Sequence, residues 1–146
     1  DQVKKFVEIA NPVSFKYQIM RKKLTPQLLS FLSKNKSQEF PQRIFEIGTC
    51  LDLDPARENG VRETTNIACV LSSTNVDFTQ IKSVLMSLCD YLGLDCKVKK
   101  KACPFLSENS AELTINGKKG FVGELSKGVE QEFALKKPVV LFEFEL

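Results

Sequence analysis

Apolar and polar positions divide the chain into short periodic runs separated by turn residues. Val3, Phe6, Val7 and Ile9 predict a first strand over residues 3–9, although they do not alternate cleanly, and Asn11-Pro12 breaks it. Residues 14–23 read equally as strand or loop. Thr25-Pro26 predicts a helix start. Thr can accept a hydrogen bond from first-turn amides, and Pro at the first helical position loses only an N–H that has no helical partner. Leu28, Leu29 and Leu32 then share one face, with Phe31 beside it. Asn35 and the polar residues after it end the helix. Pro41 resets the chain into a strand from Arg43 to Leu51, with Ile44, Phe45 and Ile47 at its centre.

Residues 52–65 are polar and read as a loop, and the apolar run from Asn66 reads as a central strand. Asp77 caps the clearest helix, with Gln80 three residues on as a capping box prefers. Ile81, Val84, Leu85, Leu88 and Leu92 follow at helical spacing. Gly93 is placed as a C-terminal cap, with Leu94 able to fold back on the last turn. A short strand at Cys96–Lys99 and a loop at Ala102–Asn109 come next. Ala111–Ile115 and Lys118–Val122 flank Asn116-Gly117, a pair suited to a type I′ turn because both central positions need positive φ. Ser126 is placed to cap a short helix bearing Val129 and Phe133, and Pro138 ends it. In the closing strand Val140, Phe142, Phe144 and Leu146 share one face, while Val139, Leu141, Glu143 and Glu145 share the other. The sum is an α+β fold: a mostly antiparallel sheet of about six strands flanked by two or three helices.

Length and composition change this picture little. At 146 residues, 42% of them hydrophobic, the chain is one domain with material for a core. The start lacks an initiator Met and a signal-peptide pattern, and the end falls on an apolar strand, so a piece of a longer chain is expected. No run is long and apolar enough for a membrane span. The five cysteines contain no CxxC pair, which argues against zinc, and Cys69 and Cys89 sit in apolar runs as small hydrophobes, which suits a reducing, cytoplasmic setting.

Candidate chemistry is sparse. The chain has no His, which removes the common general bases and nucleophile pairs. Its Arg residues are Arg21, Arg43, Arg57 and Arg62. Gly120, Gly123 and Gly128 follow a hairpin and do not form a phosphate-binding loop. Glu46, Glu112, Glu124, Glu143 and Glu145 lie on strands, where a facing pair could do acid–base work, but solvent-facing positions are the simpler reading. Net charge is only +3. Two basic clusters stand out, Arg21-Lys22-Lys23 and Lys97 to Lys101; both read first as solvated surface. Lys97, Lys99, Lys100 and Lys101, together with Lys118 and Lys119, could also contact RNA phosphates. These residues alone identify no catalytic, cofactor-binding or metal site.

An ordered series of phrases goes further. Asn11-Pro12 is followed by Arg21, Leu24, Pro26, Leu28 and Leu29, then Asn35, then Phe45-Glu46-Ile47-Gly48. Phe78 with Ile81-Lys82 opens a helix that ends at Leu92-Gly93. Pro104-Phe105, Ala111-Glu112, Gly123-Glu124-Leu125, Phe133, Pro138 and Phe142-Glu143 complete the series. From about residue 7 onward this resembles the phenylalanyl-tRNA synthetase β-subunit family of archaeal and eukaryotic type. The resemblance implies a catalytic-like domain similar to a class II synthetase core: an antiparallel sheet flanked by helices, without the active site. It implies an α2β2 partnership in which the α subunit carries catalysis, with ATP and magnesium, and with tRNA as a partner of the whole enzyme. No cofactor is expected on this domain.

Class II sites use a strand Arg at the ATP α-phosphate and a Gly-rich motif ending in a second Arg. No Gly-x-Gly-x-x-Arg occurs here, and no Arg follows Arg62. The electrostatic stabilisation that adenylation needs is then missing. The expected work is structural, through interface residues Arg21, Leu24, Leu28, Phe31 and Phe45. The alternative is a free-standing paralogue that binds an amino acid or nucleotide without transferring it.

Overall fold

The computed structural model describes residues 6–14 and 18–146. In chain order the elements are α1 (Thr25–Lys34), β1 (Gln42–Leu53), β2 (Val61–Ser72), α2 (Phe78–Leu92), β3 (Cys96–Lys100), β4 (Leu106–Ile115), β5 (Lys118–Leu125), α3 (Lys127–Glu132) and β6 (Val139–Glu145). The strands form one sheet in the order β1-β2-β6-β5-β4-β3, with every neighbouring pair antiparallel. The α+β expectation therefore holds. Of the expected first strand, residues 3–5 lie outside the described residues, and Glu8 makes an isolated antiparallel bridge to Ile19.

Helices cover both faces of the sheet. On the front, Leu24, Leu28, Leu29 and Leu32 pack over Cys50, Ala68, Val70, Phe121, Leu125, Val139 and Leu141. On the back, Ile81, Leu85 and Cys89 of α2 pack over Ile67, Leu113, Val122, Val140, Phe142 and Phe144. β6 sits between β2 and β5 and is buried on both faces, as the apolar run Val139–Phe142 suggests and the later Glu143 does not.

Locally encoded features form as read. Asp77 Oδ1 accepts the Gln80 N–H at 2.8 Å, and the Leu94 N–H returns to the Cys89 carbonyl past Gly93 at φ +66°. Asn116 and Gly117 both take positive φ, 48° and 83°. Three boundaries differ. The loop expected at 52–65 shrinks, because β1 runs to Leu53 and β2 starts at Val61, with polar partners such as Asp52 opposite Arg62 continuing the ladder. β4 begins at Leu106, inside the loop expected at 102–109. Thr25 is not the N-cap of α1: Leu24 takes that place, and no capping bond comes from its side chain. Ser126 likewise precedes α3 without a side-chain capping bond.

Candidate functional site

The strand register places front-face side chains in rows across the sheet. One row runs Ile44, Val70, Leu141, Gly123, Ser110, and α1 and its neighbours cover its apolar part. The next runs Glu46, Ala68, Glu143, Phe121, Glu112, Lys99 through all six strands. Beyond it lie Gly48, Asn66 and Glu145 on one side and Lys119, Thr114 and Lys97 on the other. The front face thus grades from apolar to charged, and the N-terminus of α1 stops at the boundary.

Glu143 holds that boundary. It is 2% exposed. Its Oε1 accepts the Leu24 N–H at 3.0 Å and Asn66 Nδ2 at 2.8 Å. Its Oε2 accepts the Thr25 N–H at 2.9 Å and the Thr25 hydroxyl at 2.7 Å. The expected roles are therefore reversed: the Thr25 hydroxyl donates to a carboxylate rather than accepting from the helix, and the cap comes from the last strand. A buried charge is tolerated because four donors and the positive end of the helix surround it. Glu143 is not solvent-facing. Its stripe-mates Val139 and Leu141 were the sequence signal for its burial.

The back face repeats the device. Glu124 Oε1 accepts the Phe78 N–H at the start of α2 at 3.0 Å, and its Oε2 accepts Asn109 Nδ2 at 3.0 Å. Adjacent central strands thus each cap one helix, on opposite sides of the sheet. Carboxylates committed in this way are structural acceptors, not free acid–base groups.

Arg21 is held by three partners. Its Nη1 reaches Glu46 Oε1 at 2.5 Å and also Gln27 Oε1, and its Nε donates to the Thr49 carbonyl at 2.9 Å. The Leu51 N–H donates to the Arg21 carbonyl at 2.9 Å, which fastens this segment along β1. A Cβ at Gly48 would collide with the Arg21 guanidinium, so glycine there makes room for the clamp. Gly120 and Gly123 are also explained by packing: a Cβ on Gly120 would lie 2.6 Å from the Glu143 carbonyl oxygen, and one on Gly123 would lie 2.9 Å from the Asn109 carbonyl oxygen.

A cavity of about 240 Å³ opens below Glu143, lined by Lys22, Lys23, Asp52, Arg62, Asn66, Lys119, Phe121 and Glu145 among others. Lys22 pairs with Asp52 at 2.5 Å, and this hydrogen bond holds the Asp52 carboxyl below its ordinary range. Arg62 pairs with Glu145 at 2.6 Å. Lys23 Nζ stands 4.2 Å from the Phe121 ring centre, and Phe105 meets Phe121 edge-on at 4.9 Å.

The other candidates separate. Leu24 and Leu28, expected at an interface, are 0% and 5% exposed and belong to the domain's own core. Phe31 and Phe45 remain open, at 52% and 71%. Phe45 shares its back-face surface with Ile47, which is 55% exposed, and with Cys69, its partner on β2. Beside them a groove of about 800 Å³ between β2 and the start of α2 is lined by Arg43, Cys69, Leu71, Val76 and Val84. Sequence reading picked out Phe45 but not the surface around it, because α2 covers the middle of the sheet and leaves β1 bare. The basic run of β3 splits across the sheet: Lys97 and Lys99 face front, whereas Lys100 faces back beside Val98. Lys101 pairs with Glu112 at 2.5 Å, which raises the Lys101 pKa and lowers that of Glu112. Among the described residues no group of acidic, Cys or His side chains is arranged to hold a metal ion. Among the described residues no helix is long and apolar enough to cross a membrane.

Comparisons with known proteins agree with one another. The family described as the phenylalanyl tRNA synthetase beta chain CLM domain matches residues 1–146. The phenylalanine–tRNA ligase beta subunit of Methanocella arvoryzae is 40% identical over 144 residues, and that of Pyrococcus abyssi is 37% identical over 142. Each match covers 96% of this chain but 26% of the relative, so the chain spans about a quarter of their length. Among solved structures, a pyrrolysyl tRNA synthetase from Desulfitobacterium hafniense superposes with a TM-score of 0.70 at 14% identity, covering 96% of this chain and 60% of that one. This last likeness establishes the fold.

Proposed function

The chain belongs to the phenylalanyl-tRNA synthetase beta chain CLM-domain family, and from this we propose that it is a catalytically silent class II core whose work is assembly with the α subunit of an α2β2 phenylalanine–tRNA ligase. In this reading the α subunit binds ATP and magnesium, performs the transfer to tRNA in the cytoplasm, and relies on this domain as a rigid frame. The observation that carries the reading is the bare back face of β1: Phe45 and Ile47 stand exposed on an edge strand, beside an apolar groove. Exposed apolar area of this kind on an edge strand marks a protein contact. The frame is stiff where catalysis would need free groups, since Glu143, Glu124 and Arg21 are each committed to helices or strands.

The test is co-elution of the full β chain with its α subunit on size exclusion. Phe45→Glu with Ile47→Lys is expected to abolish co-elution while the variant chain itself stays folded. Full co-elution of that variant refutes the assembly surface. ATP–pyrophosphate exchange by the β chain without α would refute catalytic silence.

A second reading, capture of an amino acid or nucleotide without transfer, has one observation in its favour: the cavity of about 240 Å³ rimmed by Lys22, Lys23, Arg62 and Lys119. Calorimetric titration with phenylalanine and with ATP decides it. Micromolar binding to the β chain alone supports capture, and the absence of heat with both removes it.

A further inference from the structure

We propose that the open, charged half of the front face binds the sugar–phosphate backbone of RNA. Lys97 and Lys119 flank Thr114 in one row across β3, β4 and β5, and Lys99 stands beside Glu112 in the next. Strands lie about 4.8 Å apart, so the two outer lysines of the row are separated by about 10 Å at their Cα atoms. Lys101 reaches the same patch through Glu112, and Lys23 closes it over Phe121.

Five lysines thus gather around Glu112 and Asp95, with Glu143 and Glu145 on the side of Lys23 and Lys119. Lys101 and Lys119 both lean on Glu112, at 2.5 and 3.9 Å, and Lys97 reaches Asp95 at 3.4 Å. Neighbouring Lys22 and Arg62 are balanced by Asp52 and Glu145 and add no net charge. The Lys97 and Lys119 side chains are about three-quarters exposed and free to turn toward a ligand.

The chemistry on offer is cation without shape code. Phe121 is 7% exposed and lies beneath Lys23, so its ring offers no open face for base stacking. Phosphate contacts of this kind are sequence-independent and release counterions, so the affinity falls steeply with salt. The choice of RNA over another polyanion rests on the ligase reading above.

The experiment measures binding of a tRNA transcript to the full β chain, alone and with α, by fluorescence anisotropy from 50 to 200 mM salt. Lys97→Glu, Lys99→Glu and Lys119→Glu together are expected to weaken binding at least tenfold at 50 mM and to flatten the log–log salt slope by roughly 2–3. Lys34→Glu with Lys36→Glu, at the far end of α1, is expected to leave the slope unchanged. Equal slopes for the triple variant and the parent overturn the proposal, as does displacement of the tRNA by polyglutamate at equal charge. Co-elution with α is read on the same samples. A lost slope difference with intact co-elution defeats this proposal alone, and lost co-elution of the parent with an intact slope difference defeats the assembly reading alone.

Discussion

Replacing Glu143 by Ala should be among the most damaging single changes this domain can suffer. The side chain is 2% exposed and receives four hydrogen bonds, from the Leu24 and Thr25 amides, the Thr25 hydroxyl and Asn66. Alanine removes the acceptor of two helix-start amides. Hydrogen bonds to a charged group contribute about 1.5–3 kcal/mol each in isolation, but bonds sharing one carboxylate are not additive. Breaking a buried charged network typically costs about 3–5 kcal/mol, and that is the loss expected here. Glu143→Gln keeps one acceptor oxygen but turns an amide NH₂ toward donors on the other side, so about 1–3 kcal/mol should be lost. Glu63→Ala, at an exposed position of β2, should change stability by less than about 0.5 kcal/mol. Urea unfolding measures all three, with the m value checked for constancy. Hydrogen exchange at the Leu24 and Thr25 amides adds a local readout, because both should lose protection in the Ala variant before the β-sheet amides do. An Ala variant within about 1 kcal/mol of the parent would refute the view that Glu143 anchors α1.

Three further outcomes are expected. Gly120→Ala should destabilise by about 1–3 kcal/mol, since its Cβ would lie 2.6 Å from backbone and Cβ atoms of β6 that cannot step aside; urea unfolding within 0.5 kcal/mol of the parent would contradict this. The Asp52 carboxyl should titrate below its ordinary value in a carboxyl NMR series and return toward it in Lys22→Met. Because the folded pKa is depressed, the stability from this pair is present above the ordinary Asp pKa and is lost as pH falls through the folded value, and at a half-exposed site it stays under about 1 kcal/mol. Burial pushes the Cys50 and Cys69 thiols up to about 11 and that of Cys89 to about 12, so at pH 8 these three should resist iodoacetamide until the chain is unfolded; fast labelling of Cys89 in the native state would show an opening that the packing does not predict.

What could be read from the chain was what neighbours in sequence decide. The Asp77–Gln80 cap, the Gly93 stop and the Asn116-Gly117 turn each involve residues within a few positions, and each formed as expected. The two faces of β6 were also legible, because strand alternation needs no partner. The reason Glu143 and Glu145 lie on its front face was not. The apolar stripe-mates Val139 and Leu141 hint that Glu143 is buried but not what it binds, because its donors lie 118 and 119 positions away for Thr25 and Leu24. The hairpin arms of β1 and β2 were missed for a related reason: Asp52, Arg62 and Glu63 have loop-like chemistry, and only the partner strand makes them a ladder. Likewise the basic run of β3 looks like one patch in sequence, yet period-two geometry sends Lys99 and Lys100 to opposite sides. Of the candidate interface residues, composition could not tell Leu28 from Phe31; the packing of α1 buries the first and leaves the second in solvent.

The anchoring of α1 by β6 also sets a timetable for synthesis. Thr25 leaves the ribosome 118 residues ahead of the carboxylate that must receive its amide. At about 5–20 residues per second, the helix start waits on the order of 6–24 s for that partner. β2 waits as well, since its inner neighbour is also β6. During that interval the α1 face can settle on β1 and β2, but the helix start lacks its acceptor and the inner edge of β2 stands unpaired. Nascent chains of this domain should therefore be held by chaperones until the sheet closes from its C-terminal strand, and a stop codon just before Val139 should yield a product that aggregates rather than one that is merely less stable.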